Sequence, residues 1–487
     1  MTRSSALLSR FRAELLGQVI VAISGALLTI LLARLLGPDD YGLLFLAISV
    51  FGILELFTKL GIAKSAARYI SEYKEQKPSQ IRHIIKTSIA LNFLTIILVS
   101  FVLFVSYQQL ATLIGEPDLA PFLLLGILYL IFGTLAKYVR YVLQGFEDIE
   151  SAAIIHALDR GSRLFFAVGF VVLGYGAFGA LSGYILSFAI ATALGFWLIY
   201  GRYYRNWEQS PIEKGLRRRI AEYTVPLTAT STANVLDKRV DTVLVGVFLS
   251  PVAVGYYTIS KQVIKFIEKP VEALGFALSP TYGSEKANNN IKRAAQIYET
   301  ALVNSLLLYV PAAAGLVLVA EPLVKLAFGG EYLNAVPVLQ VFGLYAVLQA
   351  VTKITSNGLD FLGRARERAI VKGVTSVLNV ILNIILIPTI GVVGAAIATV
   401  ITYSMYTVAN VYIAHTEFNL RCRYLFQKFT TIVFVTGIMS IAVFVLVQSI
   451  GGWLSLVLGI FAGVSIWGVL SLQLGLLDIG HIKSVLV

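Results

Sequence analysis

"LGYGAFGALSG", residues 173–183, sets Gly174, Gly176 and Gly179 in the order G-x-G-x-x-G. In a soluble α/β domain this order makes a dinucleotide-binding turn, provided a strand enters it, a helix leaves it and an acidic residue follows about 20 residues on. The rest of the chain denies it that setting. The 487 residues are 57% hydrophobic and 14% charged, with a mean hydropathy of +0.80. Soluble domains average roughly 45–50% apolar and 25% charged, so the composition is that of an integral membrane protein.

Segments of about 20 apolar residues, enough to cross roughly 30 Å of hydrocarbon as helix, recur along the chain. They lie near 15–36, 41–63, 84–107, 121–143, 152–173, 178–200, 223–248, 252–274, 297–319, 333–355, 367–388, 393–415, 428–449 and 453–475, fourteen in all. The first follows Arg3, Arg10 and Arg12, but it is too long for a signal peptide and lacks a small-residue cleavage site. The G-x-G-x-x-G stretch falls between the fifth and sixth spans.

Lys and Arg crowd alternate loops. One set holds Lys64 to Lys86, then Lys137 and Arg140, Arg202 to Arg219, Lys286 to Arg293, Arg364 to Arg368, and Arg421 to Lys428. The opposite set, including "GPDD" at 37–40 and "TIGVV" at 389–393, is nearly bare. The positive-inside rule puts the basic loops and both termini in the cytoplasm, and the expected location is the plasma membrane. The net charge of +12 is then a topology signal with attraction to anionic lipid, and no nucleic-acid partner is needed to explain it.

The second half repeats the first at a shift of about 213–215 residues. "RLLGPDDYG" at 34–42 faces "VFLSPVAVG" at 247–255, pairing Pro38 with Pro251 and Gly42 with Gly255. "GYGAFGALSGYI" at 174–185 faces "TIGVVGAAIATV" at 389–400, pairing Gly176 with Gly391 and Gly179 with Gly394. The glycines therefore serve a tight turn and close helix approach, not a cofactor. Six spans per repeat, an even number, make the repeats parallel. The expected fold is two parallel six-helix lobes related by a pseudo-two-fold axis, with a C-terminal helix pair. Its parts are a first lobe at 1–200, a basic linker at 201–222 with an amphipathic helix, a second lobe at 223–415, and helices thirteen and fourteen with a cytoplasmic tail at 416–487.

Ionisable side chains near the bilayer centre cost about 2.5–3.5 kcal/mol on insertion scales and usually face a bundle interior or a watery cavity. Here they align. Span five sets His156, Asp159, Arg160 and Arg163 on one face, and span seven does the same with Asn234, Asp237, Lys238 and Asp241. Span eight carries Lys261, Lys265, Glu268, Lys269 and Glu272; span two places Glu55 four residues before Lys59; span eleven adds Lys372, Ser376, Asn379 and Asn383. Glu55 with Lys59, and Asp159 with Arg163, have ion-pair spacing. The surplus of Arg160, Lys261 and Lys265 over nearby acids suits an anionic head group, phosphate above all. Asp237 and Asp241 either bind a coupling cation or neutralise Lys238 and Arg239. His156 is either a proton relay or a packed polar residue.

"LLARLLGPDDYGLLFLAISV" at 31–50 resembles the opening motif of the polysaccharide and O-antigen flippase family, with Ala33, Arg34, Leu36, Gly37, Pro38, Tyr41 and Gly42 in place. "DTVLVGVFLSPVAVGYYTISKQV" at 241–263 is similar to its span-seven to span-eight signature through Asp241, Gly246, Gly255 and Tyr256. The superfamily also holds multidrug-and-toxin extrusion antiporters and the lipid II flippase. The resemblance implies a flippase that moves a lipid-linked oligosaccharide, on a polyprenyl or dolichyl phosphate or diphosphate carrier, to the outer leaflet by alternating access. It implies no cofactor, a coupling ion of H+ or Na+, and polysaccharide-assembly proteins as neighbours. By charge and depth the head-group residues are Arg160, Arg163, Lys261, Lys265, Lys238 and Asn234. The coupling or ion-pair residues are Asp237, Asp241, Glu55, Lys59, Asp159 and Glu268.

Two other readings compete. A cation-coupled exporter of drugs or metabolites usually has twelve helices and an acid in span one, where this chain has Gln18 and Ser24, with Glu14 at the edge. A glycan polymerase or ligase needs a catalytic outer loop, and the largest here, 107–121, is short. No P-loop occurs, the single Cys422 builds no metal site, and His83, His156, His415 and His481 show no zinc spacing.

Overall fold

A segment in hydrocarbon has no water to satisfy its amide and carbonyl groups, so it closes its hydrogen bonds within itself as a helix. The computed structural model describes residues 3–205, 210–450 and 452–477, and their side chains except those of 3–20, 225–227, 229–234 and 236–238. Among the described residues fifteen α-helices follow one another and no strand occurs. They are α1 (Arg3–Lys59), α2 (Ile62–Gln76), α3 (Ile81–Ile114), α4 (Leu119–Gly145), α5 (Ile149–Phe170), α6 (Gly176–Ile199), α7 (Leu216–Phe248) and α8 (Pro251–Ala287). Then come α9 (Ile291–Leu318), the short α10 (Ala320–Ala327), α11 (Val336–Phe361), α12 (Ala365–Ile390), α13 (Val392–Phe418), α14 (Cys422–Ser449) and α15 (Trp453–Gln473).

Ten stretches are long and apolar enough to cross a membrane. Two of them, Val21–Lys59 and Ile149–Tyr204, each contain a glycine reversal and so give two spans. In the first, Gly37 (φ 71) precedes Pro38 and divides α1 into two arms. With α7 and α8, set apart by their charge, the spanning helices number the expected fourteen.

The turn that opened the sequence reading is such a reversal. Gly176 takes φ 52, ψ −146 and its repeat partner Gly391 takes φ 66, ψ −150, the same left-handed conformation at the same place in each half. One turn on, a Cβ at Gly179 would meet Tyr175 Cβ at 2.5 Å, and one at Gly394 would meet the Leu386 carbonyl at 2.3 Å. Each glycine lets its helix fold back against the one before.

The chain divides into two compact units, Met1–Gly255 and Tyr256–Val487. In the first, α1 packs against α3, α4, α5, α6 and α7, with Leu32, Leu44, Leu46 and Phe51 fully buried. The two prolines and glycines matched by the repeat meet crosswise here. A Cβ on Gly42 would lie 1.7 Å from the Pro251 carbonyl oxygen, and one on Gly255 would lie 2.4 Å from that of Pro38. In the second unit α9, α11 and α13 bury Tyr282, Tyr298, Ile354 and Phe418. The final pair, α14 and α15, closes over α9 through Val319, Met439, Val443 and Leu456.

Two local features differ from the sequence reading. The stretch after span two is not a loop: Leu60 (φ 37) and Gly61 (φ 71) end α1, and α2 begins at once. Its buried residues Ile62, Ser65, Ala66, Tyr69, Ile70 and Tyr73 form one stripe at helical spacing. Conversely, the described part of the linker contains no separate amphipathic helix, since residues from Leu216 on already belong to α7. The linker is clasped to the last turn of α2, where the Tyr73 hydroxyl donates to Glu213 at 3.3 Å, and to the residues just after it. Glu213 accepts from Arg219 at 2.5 Å and from Lys77 at 3.0 Å, and Gln80 donates to the Pro211 carbonyl at 2.8 Å. The Arg219 and Lys77 hydrogen bonds hold the Glu213 carboxyl below its ordinary value of 4.5, so the clasp is ionised at neutral pH.

Gly42→Ala forces a backbone shift at Pro251, and overpacking of this kind costs about 1–3 kcal/mol. Gly437→Ala, with nothing within 4 Å, leaves stability equal or slightly raised. Thermal unfolding of the two variants in the same detergent checks the contrast.

Candidate functional site

The polar faces read from the sequence sort into three groups. On α5, Asp159 and Arg163 are 8% and 5% exposed. Arg163 donates to Asp159 Oδ1 at 2.5 Å, the Ser187 hydroxyl of α6 bonds the same oxygen at 3.2 Å, and the guanidinium lies over the rings of Tyr184 and Phe188 at 4.7 and 4.5 Å. Cation–π contact of this kind gains strength when desolvated. Arg163 is thus locked on every side. Arg160 is not: its side chain is 40% exposed and its nearest carboxylate oxygen, Asp159 Oδ2, is 3.8 Å away. With one carboxylate between two guanidinium groups, the α5 cluster is net positive, and Arg160, whose Nε is buried without a hydrogen-bond partner among the described residues, is the less firmly held of the two.

The second group is on the second arm of α1. Glu55, 8% exposed, takes the expected bond from Lys59, but it also accepts from Lys137 of α4 at 2.9 and 3.2 Å. One carboxylate therefore holds two ammonium groups. Gly133 makes room, since a Cβ there would stand 3.3 Å from both Glu55 Oε1 and the Phe188 ring. Arg239 of α7 lies along the same arm of α1, with its Nε 2.8 Å from where a Gly52 Cβ would be. Asp241, two residues on, is buried at 1% exposure.

The third group belongs to the second unit. Lys261 is half-buried with its Nζ 5.0 Å from the Tyr257 ring. Lys265 is exposed and donates to Gln262 at 3.3 Å, and Glu268 is half-buried. On α12, Lys372 stands over Tyr403 and Tyr406 at 5.0 and 4.8 Å, and Asn379 and Asn383 bond each other and Thr402. The side chains of Asn234, Asp237 and Lys238 lie outside the described residues.

Both pairs anticipated from spacing are formed. The sequence did not join Lys137 to Glu55 or Ser187 to Asp159, because those partners sit on other helices and share no period with them. An acid in a span, with one local lysine and a second basic residue at similar depth on another span, was the only available signal.

The family model for polysaccharide biosynthesis proteins matches residues 11–282, more than half of the chain. The chain belongs to that family. A MatE model also matches residues 226–385. This polysaccharide biosynthesis protein is 24% identical over 447 residues to the probable low-salt glycan biosynthesis flippase Agl15 of Haloferax volcanii, covering 90% of each. It is 22% identical to the lipopolysaccharide biosynthesis protein WzxC of Escherichia coli, over 82% of this chain and 77% of that one. Among solved structures it is similar to the lipid II flippase MurJ in an inward closed conformation, with a TM-score of 0.76 at 16% identity over 94% and 97% of the two chains. An inward-facing MATE family transporter gives 0.71, also at 16%, over 83% and 98%. Both share the fold of this family member.

Asp159→Ala leaves Arg163 buried and unpaired, which costs about 3–5 kcal/mol. Arg160→Ala removes the longer, half-exposed contact to the same carboxylate at a cost of roughly 1 kcal/mol or less. A large drop in thermal stability for the first and little change for the second is the expected outcome, measured by unfolding in detergent.

Proposed function

We propose that this protein is a flippase that carries a lipid-linked oligosaccharide, on a polyprenyl or dolichyl phosphate or diphosphate, from the cytoplasmic to the outer leaflet by alternating access. The observation that carries the reading is the sorting of charge within the spans. Asp159 and Glu55 are committed to Arg163, Lys59 and Lys137, and with Arg160 reaching the same Asp159 only at 3.8 Å, the α5 cluster of one carboxylate and two guanidinium groups keeps a net positive charge. A group of that sign attracts an anionic head group and repels the cationic compounds an exporter would carry. The names of Agl15 and WzxC, a flippase and a lipopolysaccharide biosynthesis protein, support the same substrate class.

In this reading Arg160, Lys261, Lys265, Lys238 and Asn234 contact the phosphate and first sugars. Arg163 is a positioning residue held by Asp159. The basic loops and both termini are cytoplasmic, and the membrane is the plasma membrane. Transport is coupled to H+ or Na+ through the acids in the spans, Asp237, Asp241 and Glu268 among them. The chain catalyses no bond change; it binds, encloses and releases.

Purified protein in liposomes carrying a lipid-linked oligosaccharide in the inner leaflet tests this, with sugar exposure followed by an external glycosidase. Protein-dependent exposure is expected, slowed by Arg160→Ala about tenfold or more, as loss of a charge-assisted hydrogen bond of roughly 1.5–3 kcal/mol requires. No exposure across several glycolipids, together with ion-driven efflux of a soluble cationic dye, would establish the exporter instead.

A further inference from the structure

Where α1 ends and α2 begins, the first unit contains a cavity of 240 Å³ bordered by Glu55, Lys59, Lys64, Asn92, Lys137 and Tyr141. The titratable groups facing it are one carboxylate, three ammonium groups and a phenol. Glu55 neutralises one lysine, which leaves two positive charges. Lys137 and Lys59 hold Glu55 yet keep 44% and 29% of their side chains exposed, and Lys64 is exposed. Each ammonium thus retains donors for a further partner.

Two other features point the same way. Gly61, in the left-handed conformation, starts α2 with no side-chain cap, and it borders the cavity with Ala63 and Lys64. The unsatisfied amide groups of a helix start favour an anion. Asn92 is 1% exposed; its amide nitrogen donates to the Thr58 carbonyl at 3.1 Å, while its Oδ1 has no partner among the described residues. That acceptor suits a hydroxyl beside the anion.

We infer that this cavity is a phosphate- or diphosphate-binding site, separate from the Arg160 group. At 240 Å³ it is below the roughly 300–1,000 Å³ of sites for drug-sized ligands, so it takes a head group and not an oligosaccharide. Glu55 sets its strength by competing with the anion for Lys59 and Lys137. That the phosphate is a lipid's rests on the flippase reading; the anion site itself does not.

The test is amine acetylation of the full-length protein in lipid nanodiscs, read residue by residue by mass spectrometry. The probes are farnesyl diphosphate, inorganic diphosphate and farnesol. Farnesyl diphosphate is expected to protect Lys64 and Lys137, and farnesol to leave them reactive. Glu55→Gln, which frees both lysines, shifts protection to about tenfold lower diphosphate concentration, and Lys64→Gln shifts it higher. Equal protection by inorganic diphosphate supports the site and makes the soluble anion its ligand; protection by the prenyl compound alone makes it the lipid head group. Unchanged acetylation with both diphosphates, equal protection by farnesol, or weaker protection in Glu55→Gln overturns the proposal. Lost protection with flipping intact rejects this site and leaves the flippase standing.

Discussion

An ion inside a membrane bundle must find a counter-charge, hydrogen bonds or water, and that constraint organises this protein. Removing a charge from water costs several kcal/mol even after the surroundings relax. The first unit meets the cost locally for Asp159 and Arg163, which share Ser187 and two aromatic rings. It meets it across helices for Glu55, which draws Lys59 from its own helix and Lys137 from α4. These pairs fix how α1, α4, α5 and α6 face one another. Because the acids are spent in this way, positive charge is left over within the spans of the first unit.

The second constraint is on the backbone. Reversing direction in the fewest residues takes a left-handed glycine, supplied by Gly37, Gly176 and Gly391. Packing two helices through their turns takes the absence of a side chain, supplied by Gly42 against Pro251 and Gly255 against Pro38. Within the first unit the matched residues of the duplication thus pack against one another. A pattern that in another fold would seat a cofactor serves here as a hinge between neighbouring spans.

The spans, the glycine turns and the helix-face stripes were legible because each is written at a fixed period: about 20 apolar residues, a matched glycine, a charge every three or four positions. What escaped has no such period. Lys137 stands 82 residues from Glu55, and the aromatic rings over Arg163 come from α6. α2 escaped because its stripe alternates with Lys64, Arg68, Glu72 and Lys74 and reads as a charged loop. The arginines of the linker read as an amphipathic helix within it, but its arginine-rich end is the start of α7, tied down by Glu213.

Binding measures recognition through the phosphate most directly. The comparison is between a prenyl-diphosphate-linked sugar and the corresponding neutral prenyl alcohol, titrated against the purified protein and its Arg160→Ala variant by native mass spectrometry. The diphosphate is expected to bind at least about tenfold more tightly, a difference of roughly 1.4 kcal/mol, and Arg160→Ala is expected to reduce that preference. Equal affinity for the charged and neutral lipids, in a protein that still folds, would contradict it.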